Sequence, residues 1–167
     1  MILTALALFA VLTAAPAWAA DSPRLIGKYH DWDAFTFVED GKLICYMASE
    51  PKKTKPKNVT RGDIYILVTR RPAHQIVDEV SVYAGYPYKA ESDVEVTIGE
   101  QSFRMFTYED TAWARDKDGD KKMVRAMIRG NTMRVTGISQ RGTTTIDIYS
   151  LRGFTAATKA VRKACDS

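Results

Sequence analysis

"DVEVTIGEQSFRMFTY", residues 93–108, decides how the chain is read. In its first half Val94, Val96 and Ile98 alternate with Asp93, Glu95 and Thr97, the two-residue period of a strand with one buried face. Gly99-Glu100 breaks the alternation, and "QSFRMFTY" reads as the returning arm of a hairpin. Strands joined this tightly run antiparallel, and much of the chain repeats the pattern.

Upstream, "DEVSVYAG" turns Val80 and Val82 inward. "DIYILVTR" sets Ile64, Ile66 and Val68 against Tyr65 and Leu67, so both of its faces are expected to be partly covered. Nearer the start, "AFTFV" places Phe35 and Phe37 on one side, and Asp40-Gly41 suits a tight turn because glycine tolerates positive φ. "LICYMAS" then runs back, so segments 34–38 and 42–48 are expected to pair. Downstream, "TMRVTGIS" and "TTTIDIYSL" flank "QRGT". The count is about eight strands, mostly hairpin-connected, which predicts a mainly β fold: an antiparallel sandwich or barrel rather than α/β.

Two segments break the two-residue period. "DKKMVRAMIRG" has Met123, Val124, Met127 and Ile128 at helical spacing, Asp120 as N-cap and Gly130 as stop, predicting a short helix near 120–129. "FTAATKAVRKAC" predicts a C-terminal helix near 154–165, with Ala157, Ala160, Val161, Ala164 and Cys165 on one apolar stripe. That stripe is buried, so Cys165 can reach Cys45 on a strand. The chain has two cysteines and no C-x-x-C motif, so a structural disulfide between Cys45 and Cys165 is expected in an oxidising compartment.

The compartment is read from the first twenty residues, "MILTALALFAVLTAAPAWAA". No charged side chain occurs there, and the apolar core gives way to Ala17-Trp18-Ala19, a small-x-small cleavage pattern. Residues 1–20 are therefore expected to be a cleaved signal peptide and 21–167 a single domain. Pro16 and the early end of the apolar run argue against a retained spanning helix, and no later segment is apolar enough to span. About 147 residues remain, enough for one core. The net charge of +4, from 24 basic and 20 acidic side chains, is no nucleic-acid signature. It leaves room for peripheral contact with an anionic membrane surface.

Candidate chemistry is sparse. "EPKKTKPKNVTRG", residues 50–62, carries two prolines and Lys52, Lys53, Lys55 and Lys57, and reads as a solvated loop. Asn58-Val59-Thr60 matches the N-glycosylation pattern. "DKDGDKKMV" has oxygen-bearing residues at loop positions one, three and five, namely Asp116, Asp118 and Asp120. Glycine, however, is not sixth, and Met127 stands where the bidentate glutamate belongs, so the stretch is a turn entering a helix, not a calcium loop. His30 and His74 are far apart, and no G-x-S-x-G elbow, G-x-G-x-x-G or P-loop occurs. No catalytic residue, metal ligand or cofactor is expected. The best recognition candidate is "VYAGYPYKA", where Tyr83, Tyr86 and Tyr88 stand at a strand end and can either contact a partner or cap the core.

"RGDIYILVTRRP", "DEVSVYAGYPYKAESDVEVTIG" and "ISQRGTTTIDIYSLRGFTAATKAVRKAC" resemble the invasion-associated locus B family of Gram-negative bacteria over residues 24–165. The most specific part is the ending: Arg141-Gly142-Thr143, Tyr149-Ser150-Leu151, Gly153-Phe154-Thr155-Ala156-Ala157 and Cys165; the Gly27…Trp32 start is similar too. Some members carry further cysteines near the start, whereas this chain has only Cys45 there. The resemblance implies an exported β-sandwich of the cell envelope, some members being linked with host-cell invasion, and it transfers no catalytic residue. Together the readings point to a non-enzymatic periplasmic protein, or one secreted or held at the outer membrane, that binds an envelope protein or surface component. The alternative is a small-molecule or glycan binder using the inside or rim of the sandwich.

Overall fold

The computed structural model describes residues 22–166, so the expected signal segment lies outside the described residues. Eleven strands form one antiparallel sheet: β1 (Arg24–Tyr29), β2 (Trp32–Glu39), β3 (Lys42–Ser49), β4 (Lys53–Lys55), β5 (Tyr65–Arg71), β6 (Ile76–Tyr83), β7 (Asp93–Ile98), β8 (Gln101–Tyr108), β9 (Thr111–Ala114), β10 (Thr132–Ile138) and β11 (Thr144–Ser150). Two helices join them, α1 (Lys117–Arg129) and α2 (Phe154–Cys165). The order across the sheet is β1-β2-β3-β5-β6-β9-β8-β7-β10-β11-β4. The sheet curls far enough for Trp32 Nε1, on β2, to donate to the Ser150 carbonyl of β11 at 3.0 Å. Its two arms thus face each other across one core, a sandwich-like, mainly β fold as expected.

The strand count exceeds the expected eight because three strands are set by their neighbours rather than by alternation. β1 carries no apolar period and its register shifts between Leu25 and Gly27. β4 is three residues of the lysine loop, which become a strand only because the edge of β11 offers backbone partners. β9 is four residues, closed between β6 and β8.

The alternating positions sort as their period predicts. Val80, Val82, Val94, Val96 and Ile98 are buried, and the Asp40–Gly41 turn has positive φ at both residues. Phe35 and Phe37 do share a side, but it is the outer one; Trp32 and Ala34 take the inner positions of β2. The outer face carries three stacked cross-strand pairs at directly opposed positions: Phe35 with Tyr46, Tyr65 with Tyr83, and Phe106 with Trp113. Such pairs stabilise a sheet by about 0.2 to 1 kcal/mol each.

Both helices pack on the inner side, α2 against β1, β2, β3 and β5, and α1 mainly against β6, with smaller contacts to β8 and β9. Phe154 meets Trp32 edge-on at 4.9 Å, and Ala157, Val161 and Cys165 continue the buried stripe. Cys165 is disulfide-bonded to Cys45 on β3, with Cα atoms 6.0 Å apart. Beside this link the buried Asp78 accepts from Arg162 of α2 at 2.5 Å and pairs with Arg70 of β5 at 3.1 Å. The end of α2 is therefore held twice, covalently and by charge.

The start of α1 differs from expectation. Asp116, not Asp120, caps it, accepting from the Gly119 N–H at 2.7 Å, so the helix begins at Lys117 rather than near 120. Asp120 lies inside the first turn and points at the sheet, where its Oδ1 accepts from the Val80 N–H at 2.9 Å. Burial pushes its pKa up to about 6; the Val80 N–H pulls the other way, while Glu79, Asp116 and Asp78 add to the rise. A carboxyl whose folded pKa lies above its unfolded value of 3.8 contributes stability below pH 3.8, and that contribution is lost as pH rises through about 6. Asp120→Asn keeps the acceptor for Val80 and removes the buried charge. It is expected to raise stability at pH 7.5 by on the order of 1 to 3 kcal/mol and to flatten the stability profile between pH 4 and 6. Urea denaturation across that range reads both effects. Asp120→Ala, which orphans the Val80 N–H, is expected to move stability at pH 7.5 less favourably than Asp120→Asn.

Candidate interaction site

The segment after β6, residues 84–89, is fastened on three sides. The Ala84 and Tyr88 N–H groups donate to the carbonyls of Asp110 and Glu109 in the β8–β9 turn, at 3.0 and 2.7 Å. The Lys89 N–H donates to the Ile138 carbonyl, and the Pro87 carbonyl accepts from the Gln140 N–H, at 2.9 and 2.8 Å. The Gly85 carbonyl accepts from the Gly62 N–H at 2.8 Å. Gly85 has φ of +69°, and a Cβ there would fall 2.5 Å from the Gly62 oxygen, so no other residue fits this crossing.

Beneath the segment lies an ion pair that sequence reasoning did not find. Arg61, at the end of the lysine loop, donates both Nη groups to the Asp147 carboxylate at 2.7 Å each and its Nε–H to the Ala84 carbonyl at 2.9 Å. The two side chains are 6% and 4% exposed. The guanidinium carbon stands 4.9 Å from the centre of the Tyr86 ring, whose hydroxyl is 2.5 Å from Thr145 Oγ1. One arginine thus positions the turn, a strand and the exposed loop together. Asp147 sits on β11 at an alternating position where an apolar residue is the default. That polar break in "TTTIDIYSL" is the available sequence signal.

The three tyrosines grouped by sequence part company. Tyr83 and Tyr86 are half-buried and reach the surface. Tyr88 is 7% exposed and packs into the core edge-on to Tyr86, 5.3 Å away, so it does not belong to the surface; its aromatic ring closes the end of the sandwich. Tyr65, which periodicity placed only on a strand face, replaces it by stacking on Tyr83 at 4.4 Å. His30 and His74 are both exposed, on separate turns. Burial raises the phenol pKa of Tyr65, with Tyr83, Asp110 and Asp63 adding to it. Burial likewise raises Tyr86, outweighing the opposing Thr145 hydrogen bond and Arg61 charge. These tyrosines therefore act as neutral rings and hydrogen-bond partners.

Tyr86 and Pro87 form a ridge between two grooves. On one side is a polar groove of about 590 Å³ edged by Thr60, Gln140, Arg141, Thr143 and Thr145. On the other is a groove of about 650 Å³ formed by the Tyr65–Tyr83 pair and by Asp63, Glu109 and Asp110. Both open at the rim of the sandwich, while its interior is filled by the core side chains.

Fold and site together define a disulfide-linked β-sandwich protein whose 84–89 segment is hydrogen-bonded to three neighbouring segments between two open grooves. The profile of the invasion associated locus B (IalB) protein matches residues 32–162, and this chain belongs to that family. Among solved structures it is similar to invasion associated protein B from Bartonella henselae. That likeness has 13% sequence identity and a TM-score of 0.56, covers 84% of this chain and 96% of that one, and shows the shared fold. No curated protein matches the sequence.

Proposed function

We propose that this protein is a non-enzymatic, exported envelope protein that works in the periplasm as a binding module for another envelope protein or surface component. The observation that carries the reading is the 84–89 segment, tied to three neighbouring segments so that Tyr86 and Pro87 stand between two open grooves. A surface held this firmly costs little ordering on binding. Export is supported by the Ala17-Trp18-Ala19 pattern and by the disulfide, which needs an oxidising compartment. Among the described residues no helix is long and apolar enough to cross a membrane. A link to host-cell invasion enters through the names of the family and of the Bartonella protein, and is part of the proposal.

The test is cross-linking in the cell, with the tagged full chain and Tyr83→Ala beside it, followed by mass spectrometry of what is captured. The expected result is recurrent capture of the same envelope proteins and its loss on substituting Tyr83. Capture of nothing above background, from protein recovered folded in the periplasmic fraction, would overturn the module reading. It would favour a ligand held in the polar groove, whose hydroxyl, amide and guanidinium groups beside the Tyr86 ring suit a glycan or small molecule.

A further inference from the structure

The second groove has a chemistry of its own. Its charged lining is all acidic, Asp63, Glu109 and Asp110, with no lysine or arginine, in a chain whose net charge is +4. Among the described residues none of these three carboxylates takes part in an ion pair. The one side-chain hydrogen bond they receive is from the Thr111 hydroxyl to Asp110, at 2.9 Å. Asp110 and Asp63 also lie near enough to Tyr65 to add, after burial and Tyr83, to the rise in its phenol pKa, so acids and aromatic wall share one groove. The facing wall is aromatic, Tyr65 stacked on Tyr83 with Tyr86 beyond. Tyrosine faces attract cations, and aromatic walls take up the methylene stems of lysine and arginine.

The surface also continues beyond one cation's reach. Across β9 and β8 the outer face carries the Phe106–Trp113 pair and Tyr108, which is 66% exposed, around a further groove of about 530 Å³. An extended chain fits such a strip better than an isolated ion does.

We infer that the Tyr65–Tyr83 groove docks a lysine- or arginine-bearing segment of a partner protein, the basic head group on Asp63, Glu109 and Asp110 and its stem along the tyrosine rings. The inference rests on the binding-module reading and names the partner's chemistry. Arginine is the better fit, because its planar fork matches carboxylates bidentately and stacks on aromatic rings.

The test uses a fluorescent peptide of Gly-Ser-Arg repeats, its glutamine counterpart and free spermidine, titrated onto the mature protein. It is repeated with the triple variant Asp63→Asn, Glu109→Gln, Asp110→Asn and with Tyr65→Ala. All three acids are exposed, so the triple variant is expected to melt as the parent does. The arginine peptide should bind the parent, weaken with salt, and bind the triple variant at least about tenfold more weakly, while the glutamine peptide does not bind. Tyr65→Ala is expected to lose affinity without losing the salt dependence. Equal binding by parent and triple variant, no binding to the parent, or tighter binding of spermidine than of the peptide would each overturn the inference. The two readings fail separately. If the arginine peptide does not bind while cross-linking through Tyr83 still captures an envelope protein, the basic-segment inference falls and the module stands.

Discussion

Arg61→Ala is expected to lower folding stability by about 3 to 5 kcal/mol, the range for removing one partner of a buried ion pair. The size follows from what remains: an Asp147 carboxylate 4% exposed with both oxygens unsatisfied, and an Ala84 carbonyl without its Nε–H donor. Removing both charges together, as Arg61→Met with Asp147→Leu, is expected to recover most of the loss, because the stranded charge and not the missing attraction dominates the penalty. Urea denaturation of the parent, both single variants and the double variant measures the coupling. A loss below about 1 kcal/mol for Arg61→Ala would show that water reaches Asp147 and screens it. The same substitution takes the cation from Tyr86 and the Nε–H donor from the Ala84 carbonyl, so binding at the surface proposed around Tyr86 and Pro87 should fall even under conditions where the fold survives.

The second large effect is expected from the disulfide. Replacing Cys45 and Cys165 together by alanine removes a link spanning 120 residues and should destabilise the protein by roughly 3 to 5 kcal/mol. The loss arises chiefly in the unfolded chain, which gains the freedom that the closed loop denies it. The native fold itself should persist. Phe154 and Val161 stay buried, and Asp78 still holds Arg162, so α2 keeps its seat without the covalent link. Far-UV circular dichroism should therefore match the parent while the urea midpoint falls. A reduced protein that loses its helix signal would show instead that the bond holds α2 in place directly.

What could be read beforehand divides along a physical line. Burial pattern is local: Val80, Val82, Val94, Val96 and Ile98 alternate in the chain and are buried in the fold. The disulfide was legible too, because the helical stripe of 154–165 turned Cys165 inward and left Cys45 as its one partner. Short strands were not legible. β4 is charged and β9 is four residues long, and both owe their conformation to backbone groups offered by a neighbour. Alternation also does not say which side is inside, which is why Phe35 and Phe37 were grouped correctly yet face outward. The geometry of the candidate interaction site was only partly legible. Tyr83 and Tyr86 stood out as a cluster, but Arg61 and Asp147 lie 86 residues apart and meet only because the sheet curls. Sequence alone does not choose between Asp116 and Asp120 as the cap, because the aspartates at 116, 118 and 120 offer more than one place for a helix to start.

The two borders of the sheet bear on how the molecule behaves at high concentration. An unpaired strand is a template on which further copies can be added, the route by which sheets grow into fibrils. Here one border is β4, a three-residue strand with an exposed lysine at each end and, directly after it, Pro56, which has no N–H to offer. The other is β1, broken by the irregularity between Leu25 and Gly27 and carrying exposed Arg24 and Lys28. Both borders repel an incoming strand by charge and deny it a straight ladder. In a crowded compartment the sheet is thereby protected against stacking edge to edge with its own kind, and its faces and loops stay free for other contacts.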